Sequence, residues 1–294
     1  MTKIRGIYAA SMSVINSDLS LNIEKTIDHV EKLMDQGCHG TAIFGSTGQA
    51  QLIPISEKIK LLNKLSDTKN KDKHLIGTGL NSLNETVNFL KIAISLNFRN
   101  FLIMPPAYYK YEDKDVINFY SKVVESVPEC KIILYNFEKL CGYKFSLECI
   151  NKLVERFPNQ IVGVKDSSYN LFENLKLDNF SILPGSESKL LKGLEHGSTG
   201  IITATCNVTA QLARRVYDDF FSGKDQVYNK KLIDVRNEFE KYNLISALHT
   251  FKSQENKLYK NLIPPLNKLN KVDENNLIQN LKKLNFQINS QLAA

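Results

Sequence analysis

The sequence contains no pair of cysteines in a C-x-x-C spacing. Its five cysteines, Cys38, Cys130, Cys141, Cys149 and Cys206, are odd in number and scattered. That argues against a disulfide framework or a zinc cluster and reads as reduced thiols of a cytoplasmic protein. No apolar run reaches the roughly 18 residues that cross a bilayer, and the N-terminal MTKIRGIYAASMS lacks the long apolar stretch of a secretory signal. No membrane partner is expected. Arginine is scarce, six residues against 32 lysines. The net charge of +7 therefore rests on lysines interleaved with acids, as in NKLSDTKNKDK, with no basic block beside aromatics. This reads as a solvated surface and not a nucleic-acid patch, with some attraction for small anionic substrates.

Eight short apolar runs are present: GIYAAS (6–11), GTAIFG (40–45), HLIGTG (74–79), NFLIMP (100–105), KIILYN (131–136), QIVGVK (160–165), SILPGS (181–186) and GIITAT (200–205). Helix-like segments alternate with them. Ile23, Ile27, Val30 and Met34 recur at helical spacing before Gly37, and Ser82-x-x-Glu85 forms a capping box ahead of Val87, Leu90 and Ile94. Segments 56–65, 112–127, 146–157, 170–177, 187–196 and 208–222 complete the pattern. Eight βα units predict a (β/α)8 TIM barrel over residues 1–224. A doubly wound sheet would carry a glycine-rich phosphate turn after its first strand, and none is present. From 225 to 294 only helical periodicity remains, as in Leu232, Val235 and Phe239, interrupted by LIPPLNK. This is expected to be a C-terminal helical domain packed on the barrel.

Reactive groups in such barrels stand at the carboxyl ends of the strands. Lys165 ends the sixth apolar run. A lysine that loses water there is pushed towards the neutral amine, the nucleophile that attacks a ketone to form a Schiff base. A salt bridge, or a side chain reaching back to solvent, is the plainer explanation. Tyr135 ends the preceding run and can relay protons to a carbinolamine; equally, it can be a core tyrosine with a satisfied hydroxyl. Gly45-Ser46-Thr47-Gly48 offers amides and hydroxyls in a tight turn suited to a carboxylate, although such residues occur in many loops.

In order along the chain, GSTGQAQLIPISE (45–57), GTGLNS (77–82), YN followed by CG (135–142), GVKDSS (163–168), PGSE and GIITATCNV (200–208) resemble the pyruvate-dependent class I aldolase superfamily of dihydrodipicolinate synthase and N-acetylneuraminate lyase. The resemblance covers about residues 6–222, and the helical tail suits it. It implies a barrel enzyme, a lyase, without metal or organic cofactor, assembled as a homotetramer that is a dimer of dimers. It implies that Lys165 is the Schiff-base lysine and Tyr135 the proton relay. Gly45, Ser46 and Thr47 would form the pyruvate-carboxylate site, with Thr47 also in the relay. Tyr108 would complete the relay of a neighbouring subunit, and Ile202 would offer a main-chain contact beside pyruvate. Gly185 and Glu187 of the PG loop would meet the second reactant.

Departures bear on specificity. True dihydrodipicolinate synthases carry an arginine where Leu140 stands here, and an apolar side chain cannot make a bidentate carboxylate pair. Glu187 is followed by Ser188, leaving one of the two adjacent acids of sialic-acid lyases. Gln49 replaces a usual glutamate, Ala107 a frequent tyrosine, and SMSV a Thr-Pro pair. The expected reaction is carbon–carbon bond cleavage or formation on pyruvate or a 2-keto-3-deoxy sugar acid. The alternatives are a 4-hydroxy-tetrahydrodipicolinate synthase, condensing pyruvate with aspartate semialdehyde, and a keto-acid-binding relative without turnover.

Overall fold

A computed structural model describes residues 3–288 and 291; the last residues of the expected tail domain, 289, 290 and 292–294, lie outside the described residues. Eight parallel strands follow one another: β1 (Gly6–Ala10), β2 (Gly40–Ile43), β3 (His74–Gly77), β4 (Asn100–Ile103), β5 (Lys131–Asn136), β6 (Ile161–Asp166), β7 (Ser181–Pro184) and β8 (Gly200–Thr203). β1 to β7 pair each with the next, and β8 pairs with β1. Thr199 N donates to Ile182 O at 3.0 Å where β7 approaches β8, nearly closing the ring. This is the (β/α)8 barrel that the alternation predicts.

Strand alternation sorts the side chains. Tyr8, Ala10, Ala42, Leu75, Leu102, Ile133, Tyr135, Leu183 and Ile202 fill the interior, while Ile43, Ile76, Phe101, Leu134 and Val164 face the surrounding helices. The helices begin where short polar residues can take over orphan amides. Asn22 accepts from Lys25 N, Ser82 from Glu85 N and Ser146 from Cys149 N. The segment 170–177 differs from expectation, forming one turn, Leu171–Asn174. The chain swings at once through Asn179, whose φ is +53°, into β7.

Among the described residues three α-helices follow the barrel: Asn229–Glu240, Leu244–Lys252 and Lys271–Lys283. Leu232, Val235 and Phe239 are fully buried, in one apolar cluster with Ile7 and Ala9 of β1 and Leu212 and Val216 of the last barrel helix, Cys206–Phe221. The tail therefore shares the core of the barrel's closing sector. A buried polar chain adds direction. His249 Nδ1 donates to Tyr259 O (3.0 Å), so its Nε2 is the acceptor for Gln49 Nε2 (3.4 Å). Tyr259 OH donates to His29 Nδ1 (2.7 Å), and His29 Nε2 donates to Asn207 Oδ1 (2.8 Å). Burial pushes His249 down to about 4 and His29 to about 3, so both stay neutral and each ring nitrogen keeps its assigned role.

Candidate active site

The site depends on one irregularity in β6. Ile132 faces Ile161, but Ile133 faces Gly163, so Val162 is an extra residue. This bulge resets the alternation. Without it, Tyr135 would face Val164. With it, Tyr135 faces Lys165 and Asn136 faces Asp166. Gly163 makes room one step below Lys165: a Cβ there would lie 2.6 Å from Ser181 O and 2.9 Å from Ile133 Cδ1.

Lys165 is 3% exposed, and its Nζ stands 4.1 Å from the centroid of the Tyr135 ring. Among the described residues no carboxylate pairs with it. The adjacent Asp166 is occupied elsewhere: Oδ1 accepts from Asn136 Nδ2 (2.9 Å), Ser168 N (3.2 Å) and Tyr169 N (2.9 Å), and Oδ2 from Leu171 N (2.8 Å). The acid next to the lysine therefore shapes the loop after β6 and does not neutralise the amine. Tyr135 is also buried, and its hydroxyl meets Ser46 Oγ at 3.1 Å.

Ser46 and Thr47 lie in a turn closed by Gly48 N donating to Gly45 O (3.1 Å) and Gln49 N to Ser46 O (3.0 Å). The turn is pinned from below. Ser13 Oγ donates to Gly48 O (2.7 Å), and a Cβ on Gly48 would sit 2.9 Å from Ser11 O. Gln49 stands left-handed at φ +57°. Besides its bond to His249, it accepts Ile263 N through Oε1 at 2.8 Å. The amide that replaces the usual glutamate thus links the turn to the tail with both of its ends.

Lys165, Tyr135, Ser46 and Thr47 open on a cavity of about 590 Å3. One wall carries Ser167, Ser168 and Tyr169 after β6, with Gly185, Ser186, Ser188 and Lys189 after β7. Gly185 is needed there, since a Cβ would collide with the Ser167 side chain. Glu138 and Leu140, on the turn Glu138–Cys141, form the rim; Leu140 is 43% exposed. Glu138 N donates to Ser168 Oγ (2.8 Å) and the Tyr169 hydroxyl donates to the Glu138 carboxylate, clasping the two loops together. A second, apolar lobe of about 280 Å3 reaches Gly45, Ser46 and Tyr135 from the other side, through Leu52, Leu102 and Met104.

Not every expected residue lines the main cavity. The hydroxyl bonded to Tyr135 is that of Ser46, not Thr47, because neighbouring turn residues project in different directions and only one reaches the phenol. Ile202 is packed in the barrel interior opposite Tyr8, and the residue just beyond β8 on the cavity wall is Ala204. Glu187 does not line the cavity. It is fully buried, accepting Thr203 Oγ1 (2.7 Å), Thr205 Oγ1 (2.6 Å), Thr209 Oγ1 (3.0 Å) and Arg236 Nη1 (3.3 Å). Buried and held by four donors, this carboxylate is out of reach of a sugar hydroxyl in the cavity. Tyr108 is 90% exposed, at φ +91°, with its ring against Tyr109 and away from the cavity of its own chain. The opposite wall comes from the tail, through Arg236, Glu240, Tyr242, Asn243 and Ile245; nothing local in those helices marks them as functional. Among the described residues no group of three or more His, Cys, Asp or Glu is placed to hold a metal ion.

A sequence model of the dihydrodipicolinate synthetase family matches residues 3–284. A 4-hydroxy-tetrahydrodipicolinate synthase of Methanopyrus kandleri is 30% identical over 228 residues, 75% of each chain. YagE of E. coli K12, a prophage protein of the dihydrodipicolinic acid synthase family solved with pyruvate, superposes with a TM-score of 0.88 at 20% identity, covering 97% of this chain and 100% of that one. A variant of Sulfolobus solfataricus 2-keto-3-deoxygluconate aldolase superposes at 0.85 with 18% identity, covering 95% and 96%. With the match to the family running over nearly its whole length, the chain belongs to the dihydrodipicolinate synthetase family and is a lyase of the Schiff-base-forming, pyruvate-dependent aldolase type.

Proposed function

We propose that Lys165 is the Schiff-base nucleophile and that the enzyme acts on pyruvate or a 2-keto-3-deoxy sugar acid. The observation that carries this reading is a buried amine without a carboxylate partner, 4.1 Å from the Tyr135 ring and open to the main cavity. Nζ attacks the keto carbon. The carbinolamine oxygen, protonated through the Tyr135 phenol, departs as water and leaves a protonated imine. In cleavage, the C4 hydroxyl gives up its proton and the C3–C4 bond breaks. Its electron pair passes into the imine, yielding an enamine and an aldehyde. Protonation at C3 and hydrolysis release pyruvate and restore the amine. Stabilisation of that electron pair by the imine cation is the main catalytic contribution. The Gly45–Gly48 turn and the Thr47 hydroxyl hold the C1 carboxylate and align C2 with Nζ, while the Ser46 hydroxyl sustains the Tyr135 proton path.

Tyr108 serves the neighbouring copy. Its ring is exposed on a left-handed residue next to exposed Tyr109, which suits a side chain reaching across a boundary in a dimer of dimers. The enzyme works in the cytoplasm. The synthase reading has the Methanopyrus relative in its favour, but Leu140 supplies no charge for the carboxylate of aspartate semialdehyde.

Incubation with pyruvate followed by borohydride reduction tests the assignment. A mass increase mapped to Lys165 is expected; the absence of an adduct, or one at another lysine, overturns it. Coupled assays with aspartate semialdehyde and with sugar-acid cleavage separate the two substrate readings.

A further inference from the structure

Buried Glu187 is paired with Arg236. This arginine comes from the helix Asn229–Glu240 of the tail, is 6% exposed, and lines the same cavity as Lys165. Nη1 donates to Thr203 Oγ1 (3.0 Å) and Thr205 Oγ1 (2.8 Å) and pairs with buried Glu187. Nη2 donates to Glu240 Oε1 at 2.6 Å. Nε is buried with no partner among the described residues, although a buried guanidinium N–H is ordinarily satisfied.

The geometry of the guanidinium gives this orphan a meaning. Nε–H and Nη2–H leave the same edge in parallel, the fork that fits both oxygens of one carboxylate. Glu240 fills half of that fork from the cavity wall. Its side chain is 44% exposed against 7% for Arg236, so the acid can turn out into water when a bidentate partner takes its place. The other edge is immobilised by Glu187 and the two threonines, so the arginine is held still while its free edge is only half used.

We infer that Arg236 is the residue that reads the far end of the second reactant, and that this end carries a carboxylate, which displaces Glu240 and takes Nε and Nη2 together. The inference rests on the proposed aldol function and narrows its substrates to 2-keto-3-deoxy sugar acids with a second, terminal carboxylate. The cation absent at Leu140 is supplied from the opposite wall by the tail. The Lys189 ammonium on the same cavity adds to the attraction for such a dianion.

The test uses imine formation, which does not require turnover. The full-length enzyme is titrated with 2-keto-3-deoxyglucarate and with 2-keto-3-deoxygluconate, which differ in a terminal carboxylate against a hydroxymethyl group, and borohydride trapping at Lys165 gives each half-saturating concentration. The diacid is expected to saturate at about tenfold lower concentration, the step that a bidentate arginine contact typically makes. Arg236→Lys keeps a cation beside Glu187 but loses the fork; it should abolish the diacid preference and leave the monoacid value within about twofold. Glu240→Gln should tighten the diacid alone. Equal half-saturation of the two acids in the wild type, or a change in Arg236→Lys that moves both together, overturns the inference and leaves Arg236 a structural residue. Failure of the proposed function is a different result, the absence of any adduct with pyruvate itself.

Discussion

Two buried lysines occupy different regions of this barrel. Lys58, in the helix Ile55–Leu65, is fully buried, yet its Nζ donates to Thr78 O at 2.8 Å and it lines neither lobe of the site. Burial pushes it down to about 8. Lys165 is almost as buried, but its amine faces the main cavity, and among the described residues no hydrogen-bond partner holds it. Depth therefore does not separate the two lysines. The difference lies in whether the nitrogen's bonding capacity is spent on the protein or left for a ligand.

Three substitutions sharpen that comparison. The largest effect is expected at Lys165→Met, which should abolish the pyruvate adduct and lower turnover by about three orders of magnitude or more, read by mass spectrometry and steady-state rates. If the adduct persists in this variant, the contrast between the two lysines is wrong. Next is Tyr135→Phe, which removes the hydroxyl of the proposed proton relay while keeping the ring beside Nζ. Turnover should fall about 10²–10⁴-fold, with borohydride trapping slowed but still confined to Lys165. An unchanged kcat would reduce Tyr135 to a packing residue.

The smallest effect belongs to Lys58→Met, which should leave adduct and kcat unchanged. Because the folded-state value of Lys58 lies below the unfolded one, the folded protein binds fewer protons between about pH 8 and 10.5. Lys58 therefore penalises folding fully below pH 8, and the penalty is relieved as pH rises through that window. Its removal is expected to stabilise the protein at pH 7 by about 1–2 kcal/mol, after subtracting the lost hydrogen bond to Thr78. It should also flatten the rise in stability between pH 8 and 10.5. Denaturant melts of both proteins across that range check the sign, and a destabilised variant at pH 7 would show that the hydrogen bond outweighs desolvation.

The barrel was legible because its cause is local. Each strand run is apolar and short, and polar caps such as Ser82 and Ser146 mark helix starts regardless of distant contacts. The place of Lys165 at the cavity was legible for the same reason, as a charge at the end of an apolar run where plain burial would not put one. Glu187 misled because an acid in a cavity loop looks the same in sequence whether it faces substrate or three buried threonines.

The sequence by itself determined eight βα units, a tail of helices, and the residue types that a Schiff-base site requires. Tertiary structure decided which of those residues meet. The bulge at Val162 turns Lys165 towards Tyr135, the Ser46 turn delivers the hydroxyl that Thr47 was expected to supply, and the shared core brings Arg236 to a cavity whose lysine lies 71 positions earlier in the chain. Hydrophobic periodicity acts over a few residues and can be read along the chain. Strand register, side-chain direction in a turn and the docking of a tail arise from contacts between distant segments, and exist only once the ring has closed.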